Sequence, residues 1–132
     1  MVRLAPDETT GWNLLAQAWR ASGQPQRAIA TLNNALLIRN DAPATFYLLG
    51  ESYSDIGRLR PAVDAYQQAL KLNPEFALAW FGMGRAYVRQ GRHADAADIV
   101  KALEKLDPRL AAELSKLLPK DFVGVNPDKI LK

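Results

Sequence analysis

The chain has 132 residues, of which 48% are hydrophobic and 23% are charged, and it contains no cysteine. This composition is typical of a soluble helical protein, and the lack of cysteine excludes disulfides and thiolate sites. No apolar run is long enough for a transmembrane helix, and the first seven residues lack the apolar core of a signal peptide, so membrane insertion is not expected. The formal net charge of +3 comes without a basic stripe interleaved with aromatic residues, which argues against a nucleic-acid partner.

Apolar residues at spacings of three and four predict amphipathic helices along most of the chain. The helices are predicted at residues 10–22, 26–39, 44–56, 60–72, 77–90, 94–106 and 108–118. Gly23, Gly57 and Gly91 each follow a predicted helix, where the left-handed conformation that ends a helix favours glycine. The dipeptides Asn73-Pro74 and Asp107-Pro108 predict an N-cap followed by proline at the first helical position.

A fixed interval of 34 residues relates many of these positions. Trp12, Phe46 and Trp80 lie at this interval. The same interval links further sets of similar size: Leu15, Leu49 and Met83; Ala16, Gly50 and Gly84; Trp19, Tyr53 and Tyr87; Ala28, Ala62 and Ala96; Leu32, Tyr66 and Val100. A period of this length is the signature of a stacked repeat array.

The order of residue types within each period resembles the tetratricopeptide repeat: aromatic, leucine, small, aromatic, then glycine, alanine, a large residue and a closing proline. The resemblance implies an all-α fold, a right-handed solenoid of three helix-turn-helix repeats with a C-terminal capping helix. The repeats would be residues 9–42, 43–76 and 77–107, followed by the capping helix at 108–118 and a tail at 119–132.

The N-terminal residues suggest that the array continues upstream. Residues 1–8 include Arg3-Leu4-Ala5-Pro6, which parallels the repeat ends Lys71-Leu72-Asn73-Pro74 and Lys105-Leu106-Asp107-Pro108. We therefore expect a fragment of a longer array, whose repeat ends are similar to those of bacterial members of the family. The alternative is a short protein whose leader happens to resemble a repeat end.

Three alanines and several large residues are predicted to form the core. We expect Ala28, Ala62 and Ala96 to be deeply buried, because a small residue lets paired helices approach closely. The aromatic residues at signature positions are interpreted as core packing rather than as a ligand cage. Leu110, Leu114 and Leu117 of the capping helix should cover the third repeat.

Catalysis finds no support in the sequence. His93 is the only histidine and lies at the start of a predicted helix. There is no nucleophile motif and no phosphate-binding glycine loop, and one histidine does not make a zinc site. We expect a non-enzymatic protein without a cofactor or a metal.

The resemblance implies that the first helix of each repeat lines a concave groove that binds a peptide or a partner segment. Carried onto this chain, the family's ligand positions give a candidate groove. It consists of Asn13, Gln17, Arg20, Tyr47, Glu51, Asp55, Leu78, Phe81, Arg85 and Arg89. Tyr47 and Phe81 would anchor the ligand, and the arginines would hold its carboxylates. Alternatively, the pairs Glu51–Arg85 and Asp55–Arg89 bridge neighbouring repeats, which is worth only about 0–1 kcal/mol for exposed pairs.

Members that hold chaperone tails use a carboxylate clamp of Lys, Asn, Asn, Lys and Arg. The matching positions of this chain carry Asn13, Gln17, Leu48, Leu78 and Gly82, none of which fits the clamp. Chaperone tails bound by that mechanism are therefore not expected.

Two other functions remain open from the sequence alone. The first is a self-association module, in which the uncovered face of the first helix pair packs against another copy. That face would consist of Leu14, Leu15, Ile29, Leu36 and Leu37. The second is an accessory repeat array of a larger enzyme.

Overall fold

The structure is a computed structural model that describes residues 8–120 of the chain. Within that range it contains seven α-helices and no strand. The helices are α1 (Glu8–Ala21), α2 (Pro25–Ile38), α3 (Pro43–Asp55), α4 (Leu59–Leu72), α5 (Ala77–Arg89), α6 (His93–Leu106) and α7 (Pro108–Leu117). Each agrees with its predicted position to within two residues. The predicted repeat end at residues 1–7 and the tail from residue 121 onward lie outside the described residues.

The chain divides into two compact units, Met1–Pro74 and Glu75–Lys132. In unit 1, α1 pairs with α2 and α3 pairs with α4, while α3 also packs against α1 and α2. Its core includes Ala16, Ala28, Leu32 and Leu49, all buried. Ala28 and Ala62 have no exposed surface, as the 34-residue period predicts. Ala96, the equivalent alanine of unit 2, is buried in the same way.

One close approach explains why a small residue stands in the middle of α3. A Cβ added to Gly50 would lie 2.7 Å from Cε1 of Tyr66 and 2.8 Å from its Cδ1. The Tyr66 ring comes from α4 and is only 1% exposed. The ring therefore lies directly on the backbone of α3, and any larger side chain at position 50 would displace it.

The turn that joins the two helices of each pair contains the expected glycine. Gly23, Gly57 and Gly91 have φ angles of 79°, 77° and 76°, in the left-handed region where glycine carries no steric penalty. In the first turn, the amide of Gln24 donates to the carbonyl of Trp19 at 2.8 Å, and the amide of Gly23 donates to that of Arg20 at 3.0 Å. This pattern satisfies the carbonyls at the helix end, and it recurs at Gly57 and Gly91.

Unit 2 is built from α5, α6 and α7, and α7 packs against both of the other helices. Leu114 of α7 has no exposed surface and lies over Gly84 of α5. Asp107 caps α7 as predicted: its Oδ1 accepts hydrogen bonds from the amides of Arg109 at 3.1 Å and Leu110 at 3.2 Å. α7 thus covers one face of the α5–α6 pair, as a capping helix does.

The prediction that Leu110 and Leu117 are buried along with Leu114 is wrong. Leu117 is 47% exposed and Leu110 is only half-buried, because the buried stripe of α7 runs along Ala111 and Leu114. Leu117 lies to one side of that stripe, in the last turn.

The dipeptide Asn73-Pro74 does not cap α5. The amide of Asn73 donates to the carbonyl of Ala69, so Asn73 closes α4. A turn follows, and α5 begins only at Ala77, with Phe76 as its N-cap residue.

None of the helices between residues 8 and 120 is long and apolar enough to cross a membrane.

Candidate functional site

The predicted groove residues are distributed over three helices. α1 carries Asn13, Gln17 and Arg20, and α3 carries Tyr47, Glu51 and Asp55, all in unit 1. α5, in unit 2, carries Leu78, Phe81, Arg85 and Arg89. Spacings of three and four residues place each set along one face of its helix.

The centre of the unit 1 set is a bidentate ion pair. Arg20 donates from Nε to Oδ2 of Asp55 at 2.6 Å and from Nη2 to Oδ1 at 3.2 Å. Its Nη2 also lies 3.6 Å from Oε1 of Glu51. The hydrogen bonds to Asp55 raise the pKa of Arg20 above its usual value, although partial burial acts in the opposite direction. One guanidinium therefore faces two carboxylates.

Tyr66 of α4 contacts two members of the predicted groove. The Tyr66 hydroxyl donates to Oε2 of Glu51 at 2.5 Å. The ring of Tyr47 lies next to the ring of Tyr66, with centroids 6.1 Å apart and planes tilted by 49°, a favourable aromatic geometry. Tyr66 thus fixes both an acidic and an aromatic member of the predicted groove.

A solvent-open pocket of about 740 Å³ lies against this cluster in unit 1. Four of the predicted groove residues line it: Gln17, Arg20, Tyr47 and Asp55. The other lining residues are Ala21, Gly23, Pro25 and Leu48. The pocket is large enough for one or two side chains of a ligand.

Asn13 differs from the other predicted contacts because it is buried. Its Oδ1 accepts a hydrogen bond from Oγ1 of Thr45 at 3.0 Å, and Thr45 has no exposed surface. This pair joins α1 to α3 and satisfies two buried polar groups. Asn13 therefore presents little surface to a ligand, whereas Gln17 on the next turn is exposed.

In unit 2 the predicted contacts form an apolar and cationic strip along α5. Leu78 is exposed and Phe81 is half-buried. The guanidinium of Arg85 lies over the Phe81 ring, 5.8 Å from its centroid, at the range of a cation–π contact. Arg85 and Arg89 are both exposed. The two arginines make this strip positively charged.

Outside the predicted groove residues, few described side chains could take part in catalysis or metal binding. Between residues 8 and 120, no three acidic or histidine side chains come together in a way that could hold a metal ion. His93 opens α6 and is half-buried. Of the signature aromatics, Tyr66 and Tyr87 are buried and the tryptophans are half-buried.

Comparison with known proteins identifies the fold family. The family model described as tetratricopeptide repeat matches residues 47–111, about half of the chain. The second tetratricopeptide domain of human RPAP3, solved with an HSP70 peptide, is similar over 83% of this chain and 93% of its own, with a TM-score of 0.77 and 20% identity. The chain belongs to the tetratricopeptide-repeat family.

Two further solved structures share this tetratricopeptide fold. The Yersinia enterocolitica type III secretion chaperone SycD, in complex with a peptide of the translocator YopD, matches with a TM-score of 0.80 and 16% identity. The match covers 97% of this chain and 99% of SycD. MamA matches with a TM-score of 0.73 and 22% identity, over 96% of this chain and 83% of its own. No curated protein matches the sequence.

The comparisons and the helices together confirm the predicted fold class, an all-α tetratricopeptide-repeat solenoid with a capping helix. Tetratricopeptide domains are in general protein-interaction modules, as the peptide complexes of RPAP3 and SycD illustrate. At 16–20% identity these likenesses establish the fold, and they leave the partner of this chain open.

The 34-residue period does not predict the ion pairs of unit 1. It aligned Glu51 with Arg85 and Asp55 with Arg89, whereas in unit 1 both carboxylates contact Arg20. Arg20 and Asp55 are 35 residues apart, one more than the period. A search for opposite charges on the first helices of successive repeats, allowing one residue of offset, would have found this pair.

Proposed function

We propose that this tetratricopeptide chain is a non-enzymatic scaffold that binds a peptide or partner segment along the predicted groove residues. The observation that supports this most directly is the pocket of unit 1. Gln17, Arg20, Tyr47 and Asp55 were singled out as ligand positions by resemblance alone, and all four line one solvent-open pocket. The cluster around them is held by hydrogen bonds before any ligand arrives, so binding costs little conformational freedom.

The two aromatic groove residues are the proposed anchors. Tyr47 and Phe81 are each half-buried, so each rests on its own unit and still offers ring surface to a ligand. Aromatic side chains in such positions dominate the energetics of many interfaces. The charged residues beside them, Asp55 in unit 1 and Arg85 in unit 2, would set the polarity of the bound segment.

An acidic chaperone tail is not the ligand we propose. The RPAP3 domain was solved with an HSP70 peptide, but the five positions of this chain that match the carboxylate clamp carry no basic residue, and none carries the clamp's own residue. Asn13, Leu48 and Gly82, at three of those positions, are buried. The ligand must therefore be recognised by other groups.

Display selection of random peptides tests the proposal. Peptides enriched on the wild-type chain should bind with Kd on the order of 1–100 μM, typical of weak modular recognition. In the Tyr47→Ala/Phe81→Ala double variant their affinity should fall by more than about tenfold, because buried aromatic anchors are worth about 2 kcal/mol or more. Isothermal titration of the selected peptides measures the change.

Leu117→Ala serves as the matched control, since it truncates a half-exposed apolar side chain on α7, a helix that carries none of the predicted groove residues. Its peptide affinity should equal that of the wild type. The proposal fails if no peptide is enriched, or if the enriched peptides bind the double variant as tightly as the wild type while its circular dichroism shows that it is folded.

A second candidate, self-association, is supported by exposed apolar side chains on α1 and α2. Leu14, Leu15, Leu37 and Ile38 are all at least 45% exposed, and Leu37 reaches 85%. A mostly apolar pocket of about 290 Å³ lies between Glu8, Gly11, Trp12 and Leu15. Ile29 and Leu36, which were predicted to share this face, instead pack against the core of unit 1.

Sedimentation measurements decide this second candidate. If these side chains mediate self-association, the mass of the wild-type chain should rise with concentration, and the Leu15→Lys/Leu37→Lys variant should stay monomeric. Leu106→Lys, at a half-exposed leucine on α6, is the control and should behave as the wild type does. A wild-type mass that is constant at the monomer value would exclude the candidate.

A further inference from the structure

Resting on the proposed binding role of the groove, we infer that the pocket of unit 1 takes a cationic side chain of the ligand, an arginine or a lysine. The resemblance alone suggested the opposite, because Arg20 was expected to hold a carboxylate of the ligand. Three observations on unit 1 reverse that expectation: the engagement of Arg20, the balance of charge around it, and the walls of the pocket.

The guanidinium of Arg20 is already engaged by its own chain. Its Nε and Nη2 atoms donate to the two carboxylate oxygens of Asp55, and Nη2 also approaches Glu51. This is the bidentate geometry in which arginine recognises a carboxylate. A ligand carboxylate would have to displace Asp55, or else become a third anion beside Asp55 and Glu51.

The balance of charge favours a cation. One guanidinium faces two carboxylates, which leaves an excess of one negative charge in the cluster. Each carboxylate can accept about four hydrogen bonds. Asp55 receives two from Arg20 and keeps a side chain that is 35% exposed at the pocket. A ligand ammonium or guanidinium can therefore reach an acceptor without breaking the existing pair.

The pocket walls suit a long basic side chain. Tyr47 provides an aromatic ring, and Leu48 and Pro25 provide apolar surface for an aliphatic stem. A cation beside a tyrosine ring is attracted by the negative face of the ring, and the attraction grows as the cation is desolvated. Gln17 is exposed and adds an amide that can accept a hydrogen bond. The pocket thus combines an aromatic wall and apolar surface with the Arg20–Asp55 ion pair, and the second carboxylate, Glu51, lies next to that pair.

Three matched peptides test this inference. Each has ten residues, blocked ends and two phenylalanines, and the peptides differ only at two positions, which carry arginine, glutamate or glutamine. Blocking the ends removes terminal charges that would otherwise add to the comparison. Titration into ¹⁵N-labelled protein reports the site through the amides of Gln17, Ala21 and Tyr47, and it gives a Kd for each peptide.

The arginine peptide should shift these amides and bind about tenfold or more tightly than the glutamate peptide, a difference of about 1.4 kcal/mol. The preference should shrink as salt is added, because the contact at the pocket is exposed to screening.

Asp55→Asn should abolish or invert the preference for arginine, because it removes one carboxylate charge and frees part of the Arg20 fork. Glu51→Gln is the second variant: it removes a charge while keeping an oxygen that can accept from Tyr66. Asp64→Asn is the control, since it makes the same charge change at an exposed residue of α4 outside this pocket. It should leave the preference unchanged.

Equal or tighter binding of the glutamate peptide at these amides would overturn the inference and leave the proposed binding role intact. Equal binding of all three peptides would do the same, since charge would then play no part. If none of the peptides shifts these amides, the inference also fails. The proposed function is judged separately by the display selection, which imposes no charge on the ligand.

Discussion

Replacing Leu114 with alanine is expected to lower the free energy of unfolding by about 2–5 kcal/mol, the range for a fully buried leucine. Leu114 has no exposed surface, and its two δ-methyl groups fill the space over Gly84 of α5 and beside Ile99 of α6. α5 supplies no side chain at position 84 that could move into the cavity. The cavity should therefore stay largely open, and the loss should lie towards the upper part of the range. Chemical denaturation followed by far-UV circular dichroism measures it.

Leu117→Ala is the matched control on the same helix. Leu117 is 47% exposed, so its truncation should change the unfolding free energy by no more than about 0.5 kcal/mol. The sequence alone places both leucines in the cap, and only the structure separates them. Similar small losses in the two variants would show that α7 does not cover the α5–α6 pair.

The parts of the fold that the sequence predicts best are those that the 34-residue period repeats. Ala28, Ala62 and Ala96 are all fully buried because each stands where two helices of a pair approach closely. The glycines at 23, 57 and 91 adopt the left-handed conformation because each ends the first helix of a pair. Repetition supplies three independent readings of one local geometry, so the prediction does not depend on any single residue.

Departures occur where a local pattern has two physical solutions. Both dipeptides close a helix, since the amides of Asn73 and Asp107 donate to carbonyls at the ends of α4 and α6. Only Asp107 also opens the next helix, α7. The side chain of Asp107 accepts two amide hydrogen bonds that start α7. At Asn73 the next helix begins four residues later, after a turn. The dipeptide alone does not encode how soon the next helix begins.

The resemblance proposed the residues of the candidate site, and it did not predict how their charges pair. Resemblance selected Arg20, Tyr47 and Asp55, and all three line one pocket. The partner of Asp55 was missed because equivalent positions were compared, whereas an arginine side chain is long enough to reach a carboxylate offset by one position. Whether a predicted cation is available to a ligand depends on such pairs, and this is why we propose a basic ligand group for the pocket of unit 1.

Replacing Tyr66 with alanine should cost about 3–5 kcal/mol of unfolding free energy, as for other fully buried aromatic residues. The ring packs on the backbone at Gly50 and against Tyr47, and the hydroxyl donates to Glu51. Tyr66→Phe retains the ring and loses only that hydrogen bond. Because Glu51 is partly exposed and water can replace the donor, this control should cost only about 0.5–1.5 kcal/mol.

A double-mutant cycle with Gly50 tests whether the contact between α3 and α4 is the cause. Gly50→Ala alone should destabilise by up to about 2 kcal/mol, since the new methyl group meets the Tyr66 ring and the overpacking cost of about 1–3 kcal/mol is offset by a gain of about 1 kcal/mol in helix propensity. In the Tyr66→Ala background the ring is gone, and the same change should be neutral or stabilising. The two losses should therefore be strongly non-additive. Additive losses would mean that the Tyr66 ring does not constrain position 50, and that a small residue stands there for another reason.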